Sequence, residues 1–244
     1  MTEPKIIVLD DQADLYKRTA EEIVHLSGEA ICTHGEFSFC LSGGSTPAAV
    51  FELLSSRFLL SVDWNEVQFF WGDERCVPPS DERSNFHMAQ RTMLSKLPIK
   101  PSQIHRIRGE DLPENAAQAY EEELRAHLGG AGLPRLDLAL MGLGDNSHTA
   151  SLFPHNRALH VTDRLALAVE VDNPTERKRV TLTAPVFNNA VNVVFLVSGA
   201  GKADAVWNVL KGPRDPDQFP AQLIAPSDGE LIWLLDRAAA SKLG

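Results

Sequence analysis

The chain has 244 residues, 43% of them hydrophobic and 23% charged, ordinary proportions for a globular protein and enough for one sizeable core. Its formal net charge of -10 excludes broad electrostatic attraction to nucleic acid or to an anionic membrane, both of which need Lys and Arg clustered in excess of the acids. Any anionic ligand must therefore be held by donors arranged locally.

In chain order, runs rich in Val, Ile, Leu and Phe predict strands at 5–9, 37–41, 67–71, 136–141, 165–171, 179–183, 191–198 and 230–235. Several carry four or more consecutive apolar residues instead of alternating, the pattern of strands buried on both faces. Between them, Ala13, Tyr16, Ala20, Ile23, Val24, Ser27, Ala30 and Ile31 step by three and four, as do Ala117, Tyr120, Leu124 and Leu128, so each set marks one face of a helix. Strands alternating with helices predict right-handed crossovers. The expectation is α/β: one Rossmann-like layered domain over residues 1–244, with a mostly parallel central sheet covered by helices on both faces. "GGAGLPR" at 129–135 and "KGPRDPDQFP" at 211–220 read as exposed loops.

Four polar, glycine-bearing segments each follow the C-terminal end of a predicted buried strand: "SGGSTP" after Leu41, "GDER" after Trp71, "GLGDNSH" after Met141 and "SGAGK" after Val197. In open α/β sheets that edge lines the ligand crevice, so the four loops point at one pocket. In the first, Gly43 and Gly44 allow a tight turn, Ser45 or Thr46 can cap a helix, and Pro47 suits its first position. Backbone N–H groups there would face an anion beside the positive end of the helix dipole, although an ordinary capped helix start has the same sequence. Neither the P-loop nor the G-x-G-x-x-G spacing is present. Arg75 of "GDER" can fork onto a phosphate or carboxylate, and Lys202 opens another helix. Arg177, Lys178 and Arg179 cluster before "VTLT", with Arg177 and Lys178 read as solvent-facing.

His148 follows a strand that ends in Gly-x-Gly, which exposes it at the pocket edge, and its ordinary pKa near ~6.5 suits it to take a proton from water. The eight histidines form no H-E-x-x-H pattern and no Cys/His ligand set, so no metal is expected, and the absence of G-x-S-x-G argues against a serine nucleophile. Cys32, Cys40 and Cys76 have no C-x-x-C spacing and read as reduced, mostly buried thiols. Together with an N-terminus that lacks a secretion signal and runs that fall short of the ~18 apolar residues of a span, they point to a cytoplasmic protein. "SKL" at 241–243 is followed by Gly244 and so does not end the chain as a peroxisomal address must.

These motifs together resemble the 6-phosphogluconolactonase family, related by fold to glucosamine-6-phosphate isomerase/deaminase. The resemblance runs through "LSGGSTP", "FFWGDERCVPPSDERSNFHMA", "LDLALMGLG", "SHTASLFP", "RVTLTAPVFNNA", "VFLVSGAGKADAV" and "WLLDRAAA". It implies hydrolysis of 6-phospho-D-glucono-1,5-lactone, the second step of the oxidative pentose phosphate pathway, without metal or organic cofactor. It carries the general base to His148, places Gly43, Gly44, Ser45 and Thr46 around the substrate's phosphate or ring, and lines the pocket with Asp73, Arg75, Arg179 and Lys202. The resemblance implies a phosphosugar lactone as the small-molecule ligand, and no oligomeric partner is implied.

One departure stands out. The family pattern reads Gly-x-Gly-x-Asp-Gly-His, whereas here Asn146 and Ser147 precede His148. Asparagine can orient an imidazole but cannot stabilise its protonated form, and serine enters φ > 0 less freely than glycine. Asp145 would substitute if the loop twists. The alternatives are therefore a catalytically impaired phosphosugar-binding protein and, on the same scaffold, a sugar-phosphate isomerase or deaminase.

Overall fold

The apolar runs form strands in a computed structural model that describes residues 3–129, 132–172 and 175–244. After β1 (Lys5–Leu9), the Asp11 carboxylate accepts the Asp14 N–H at 2.9 Å and starts α1 (Gln12–His34), which Gly35 closes at φ 86° by donating to the Ile31 carbonyl. Next come β2 (Phe37–Leu41), α2 (Ser45–Leu54), β3 (Val67–Trp71), β4 (Asp73–Arg75), α3 (Asn85–Thr92) and α4 (Pro113–Leu128). The chain continues through β5 (Leu138–Met141), β6 (Ala166–Glu170), β7 (Lys178–Leu182), α5 (Ala184–Asn188), β8 (Asn192–Val197), α6 (Ala203–Leu210) and β9 (Glu230–Asp236).

Six of these strands make one parallel sheet in the order β1-β9-β8-β5-β2-β3. Every residue of β2 and β5 is buried, Ser38 included, so both faces of the sheet are covered, as the apolar runs predict. The aromatic side chains concentrate here: Phe37, Phe39 and Phe69 are fully buried, and Phe195 stacks on Trp233 with centroids 4.0 Å apart. Each such burial contributes roughly 1.5–3 kcal/mol. From β2 the chain moves outward to β3, then returns as β5 on the other side of β2, and this reversal opens a crevice at the strands' C-terminal ends.

Several expectations need correction. The segments at 165–171 and 179–183 do not enter the central sheet. As β6 and β7 they pair antiparallel, with β4 added, in a separate three-stranded sheet. The reason is the short connection over 171–177, since a parallel return needs about a dozen residues. The strand at 5–9 forms as expected, and as β1 it lies at the sheet edge with Ile6 37% and Val8 47% exposed. On α1 Ala20, Ile23 and Ser27 are buried as expected, but Leu15, Thr19, Glu22 and Leu26 join them and Ala13 is exposed. Cys40 alone is buried; Cys32 is exposed and Cys76 half-buried. The 211–220 loop is largely exposed as expected, and residues 130 and 131 of the 129–135 loop lie outside the described residues.

β3, the opposite edge, is covered. The Tyr120 hydroxyl accepts the Trp71 N–H at 2.8 Å and donates to the Trp71 carbonyl at 2.9 Å, while the His105 N–H donates to the Phe69 carbonyl at 2.9 Å.

Candidate active site

The four strand-end loops converge on one cleft of about 270 Å³, into which Gly43, Thr46, Asp73, Arg75, His148, Arg179 and Lys202 all open. The first loop starts its helix differently from the expected cap. α2 begins at Ser45 with Gly44 as its cap at φ 106°, and neither Ser45 nor Thr46 closes the helix end through its side chain. Pro47 therefore occupies the third helical position, where no intrahelical N–H bond is required. The first-turn amides and both hydroxyls border the cleft at the positive end of the helix dipole.

Gly43 allows the next layer. A Cβ there would lie 1.9 Å from Asn85 Oδ1, and Asn85 in turn donates through Nδ2 to the Asp73 carbonyl at 2.9 Å and to Asp73 Oδ1 at 3.2 Å. Asp73 Oδ2 accepts from Ser151 Oγ at 2.6 Å. The expected "GDER" loop is in fact strand β4, whose register places Arg75 opposite Arg179 of β7. Glu74 points away from the cleft, accepting Arg75 N, Asn85 N, Phe86 N and Ser84 Oγ at 2.7–2.9 Å, and so anchors the start of α3. Burial pushes its pKa up, against the four donors that lower it.

Two arginines side by side repel unless acids intervene. Glu176 supplies one, with Oε2 3.0 Å from Arg179 Nη2 and 3.7 Å from Arg75 Nη2, and Asp73 Oδ2 lies 4.0 Å from Arg179 Nη1. Arg179 is buried, which lowers its pKa, and its guanidinium lies over the Phe153 ring at 5.4 Å. Arg75 keeps its buried Nε without a hydrogen-bond partner. Lys202 is held where the loop after β8 is pinned to Asp236, which accepts the Gly199 N–H at 2.9 Å and Ser198 Oγ at 2.6 Å. Its ammonium pairs with Asp145, so Asp145 turns away from the role of imidazole partner. Arg177 and Lys178 are exposed, as expected.

His148 sits in a tight loop closed by Gly144 N–H to His148 O at 2.8 Å and Ser147 N–H to Gly144 O at 2.9 Å. Gly144 leaves room for the ring, since a Cβ there would lie 2.0 Å from it. Ser147 adopts φ 64°, is buried, and has a hydroxyl without a partner. The His148 ring stacks on Phe153 at 4.0 Å and 14°, and Asn146 Oδ1 lies 2.5 Å from Nδ1. An amide oxygen only accepts, so Nδ1 carries the proton and Nε2 keeps a lone pair. Burial pushes the His148 pKa down to about 4, with Arg179 and Lys202 adding to the fall and Asp73 and Asp145 opposing it. The ring is neutral at pH 7.

Asn85, Ser151, Phe153 and Glu176 complete the site and were not singled out from sequence. Asn85, Ser151 and Phe153 lie inside the quoted "SN" and "SLFP" blocks, whereas Glu176 acts through pairings across the fold that no local pattern announces.

The model of the family "Glucosamine-6-phosphate isomerases/6-phosphogluconolactonase" matches residues 10–233. A 6-phosphogluconolactonase of Nostoc sp. is 40% identical over 239 residues, covering 97% of each chain, and one of Treponema pallidum is 42% identical over 197 residues, covering 80% of this chain and 81% of its own. A solved 6-phosphogluconolactonase from Trypanosoma brucei superposes with a TM-score of 0.88 at 27% identity over the full length of both chains. With a parallel sheet reversing at the cleft, and with sequence and fold matched from end to end, this chain belongs to the glucosamine-6-phosphate isomerase/6-phosphogluconolactonase family.

Proposed function

We propose that the chain hydrolyses 6-phospho-D-glucono-1,5-lactone to 6-phospho-D-gluconate by general-base activation of water at His148. The observation that carries the proposal is a neutral imidazole, its Nδ1 tied to Asn146, in the same cleft as an open helix N-terminus and three cationic side chains. A lactone is an activated ester. A positioned water, a base and donors for the developing oxyanion are sufficient, and the remote phosphate supplies orientation. In this reading Nε2 takes the water proton as the hydroxide adds to the lactone carbonyl. The ring oxygen then leaves as an alkoxide and recovers a proton from the imidazolium. Gly43, Gly44, Ser45 and Thr46, with Arg75, Arg179 and Lys202, hold the phosphate and the sugar, while Asp73 positions the pocket through Asn85 and Ser151 and favours the imidazolium by its charge. Neither metal nor organic cofactor takes part, and the reading includes no nucleic-acid partner and a cytoplasmic location.

Asn146 supports a second reading, a phosphosugar-binding protein with lost turnover, because a carboxamide cannot offset the charge on an imidazolium. One assay separates the two. Purified protein with freshly generated lactone accelerates its loss over the spontaneous rate, and His148→Ala removes roughly 10²–10⁴-fold of that acceleration with the fold intact. Tight 6-phosphogluconate binding with no acceleration supports the binding protein instead, and release of ammonia from glucosamine 6-phosphate supports the deaminase chemistry of the fold relatives.

A further inference from the structure

A second cluster of ligating side chains stands at the β3 edge. His105, Glu123 and His127 each offer an atom within 4.8 Å of the others'. His105 leaves the 3-10 turn at Pro101–Gln103 and runs beside β3, while Glu123 and His127 share one face of the last turns of α4 at i, i+4. None of the three borders the cleft described above.

The hydrogen bonding around His105 is more than a neutral ring, with its single N–H, can satisfy. Its ring is buried, and both nitrogens face acceptors: Nδ1 is 2.7 Å from Glu123 Oε1 and Nε2 is 2.9 Å from Gln68 Oε1. Gln68 is not free to turn its amide, because its Nε2 donates to Glu36 Oε2 at 3.1 Å, and the reversed amide would set oxygen against carboxylate. A neutral imidazole has one N–H to give to two acceptors. His127 is arranged in a complementary way. Its Nδ1 lies 3.0 Å from the Glu123 carbonyl and 3.6 Å from Glu123 Oε1, so the tautomer protonated on Nε2 presents a lone pair beside that carboxylate. The two imidazoles lie 3.9 Å apart between centroids.

We infer that His105, Glu123 and His127 form a binding site for a divalent cation of the zinc type, with water completing a four-coordinate shell. Two imidazoles and a carboxylate are an established donor set for Zn2+. With a cation on Nδ1, His105 gives its single N–H to Gln68, and the Gln68–Glu36 pair becomes the outer support that holds the ring in place. Bonds of about 2.0–2.1 Å put tetrahedral ligand atoms roughly 3.3 Å apart. The His105–Glu123 pair must open by less than an ångström, which the half-exposed Glu123 side chain allows by rotation. The site would tie α4 to the edge of the central sheet, and the hydrolysis proposed above does not pass through it.

The test is calorimetric titration of chelator-treated full-length protein with Zn2+, together with the visible d–d absorption of Co2+ as a reporter of four-coordination. Saturable one-site binding is expected, weakened at least about tenfold by His127→Ala and by Glu123→Gln and unchanged by His148→Ala. Zn2+ should raise the melting temperature of the native chain and not that of His127→Ala. Lactonase turnover should be equal in His127→Ala and the native protein, since His127 is exposed and outside the cleft. Zn2+ binding that survives both α4 substitutions, or that disappears with His148→Ala, overturns the inference, as does the absence of saturable binding.

Discussion

At the scale of single residues, the proposed base is governed by what touches Nδ1. Because burial holds His148 down to about 4, the ring is a competent proton acceptor from neutral pH to mild acid, and kcat/KM should stay flat until it falls through about pH 4. Asn146→Asp places a carboxylate on the Nδ1–H. The His148 pKa rises, the acid limb of the profile moves to higher pH, and turnover increases roughly tenfold, equivalent to about 1.4 kcal/mol of transition-state stabilisation. An unchanged rate would mean that Asp73 already supplies the charge. The same depression reaches stability. Between the unfolded value near 6.5 and about 4 the unfolded state binds more protons at this site than the native state, so native stability falls as pH drops through that window, and His148→Gln flattens the slope measured by urea unfolding. Ser147 is the local misfit, left-handed at φ 64° with a buried hydroxyl that has no partner. Ser147→Gly relieves both, and its net gain of about 1 kcal/mol should raise the melting temperature by roughly 2–4 °C despite glycine's entropy in the unfolded chain.

Among the elements, the loop after β5 and the turn before α2 work by excluding volume. Gly144 and Gly43 are needed because a Cβ would occupy the space of the His148 ring and of the Asn85 amide. Gly144→Ala should displace the imidazole by about an ångström and reduce kcat about 100-fold, with little change in the affinity for 6-phosphogluconate measured by calorimetry. Equal losses of rate and affinity would show that the whole cleft had collapsed. β4 makes a different contribution. Only three residues long, it pairs with β7 and so brings Arg75 opposite Arg179, two cations far apart in sequence. Nothing in "GDER" read alone marks it as a strand, because three charged residues carry no apolar period. The positions of "SGGSTP", "GLGDNSH" and "SGAGK" were legible because glycine soon after an apolar run marks a strand's exit into a loop. The capping of α2 by Gly44 was not, since serine and threonine are the residues that local propensity favours there.

For the molecule as a whole, the parallel sheet and the edge on which its loops gather could be read from residues 37–41, 67–71, 136–141 and 191–198, apolar apart from Ser38, Gln68, Asp137, Asn192 and Ser198. The small antiparallel sheet could not be told apart by composition, since "LALAVEV" and "RVTLT" look like any buried strand, and only the short 171–177 connection distinguishes them. Apolar continuity is equally blind to position at a margin, since "KIIVL" looks the same at an edge as inside a sheet. The two margins of the central sheet differ in a way that bears on how the protein misassembles. At β3 the main chain is already engaged by Tyr120 and His105. Along β1, no strand among the described residues pairs on the side away from β9, and Ile6 and Val8 lie open. A stray extended peptide, or a neighbouring copy during refolding at high concentration, will therefore dock along β1, and fibrillar growth starts from that side. Val8→Lys should delay turbidity on heating while leaving hydrolysis untouched, and an unaltered delay would place the sticky surface elsewhere.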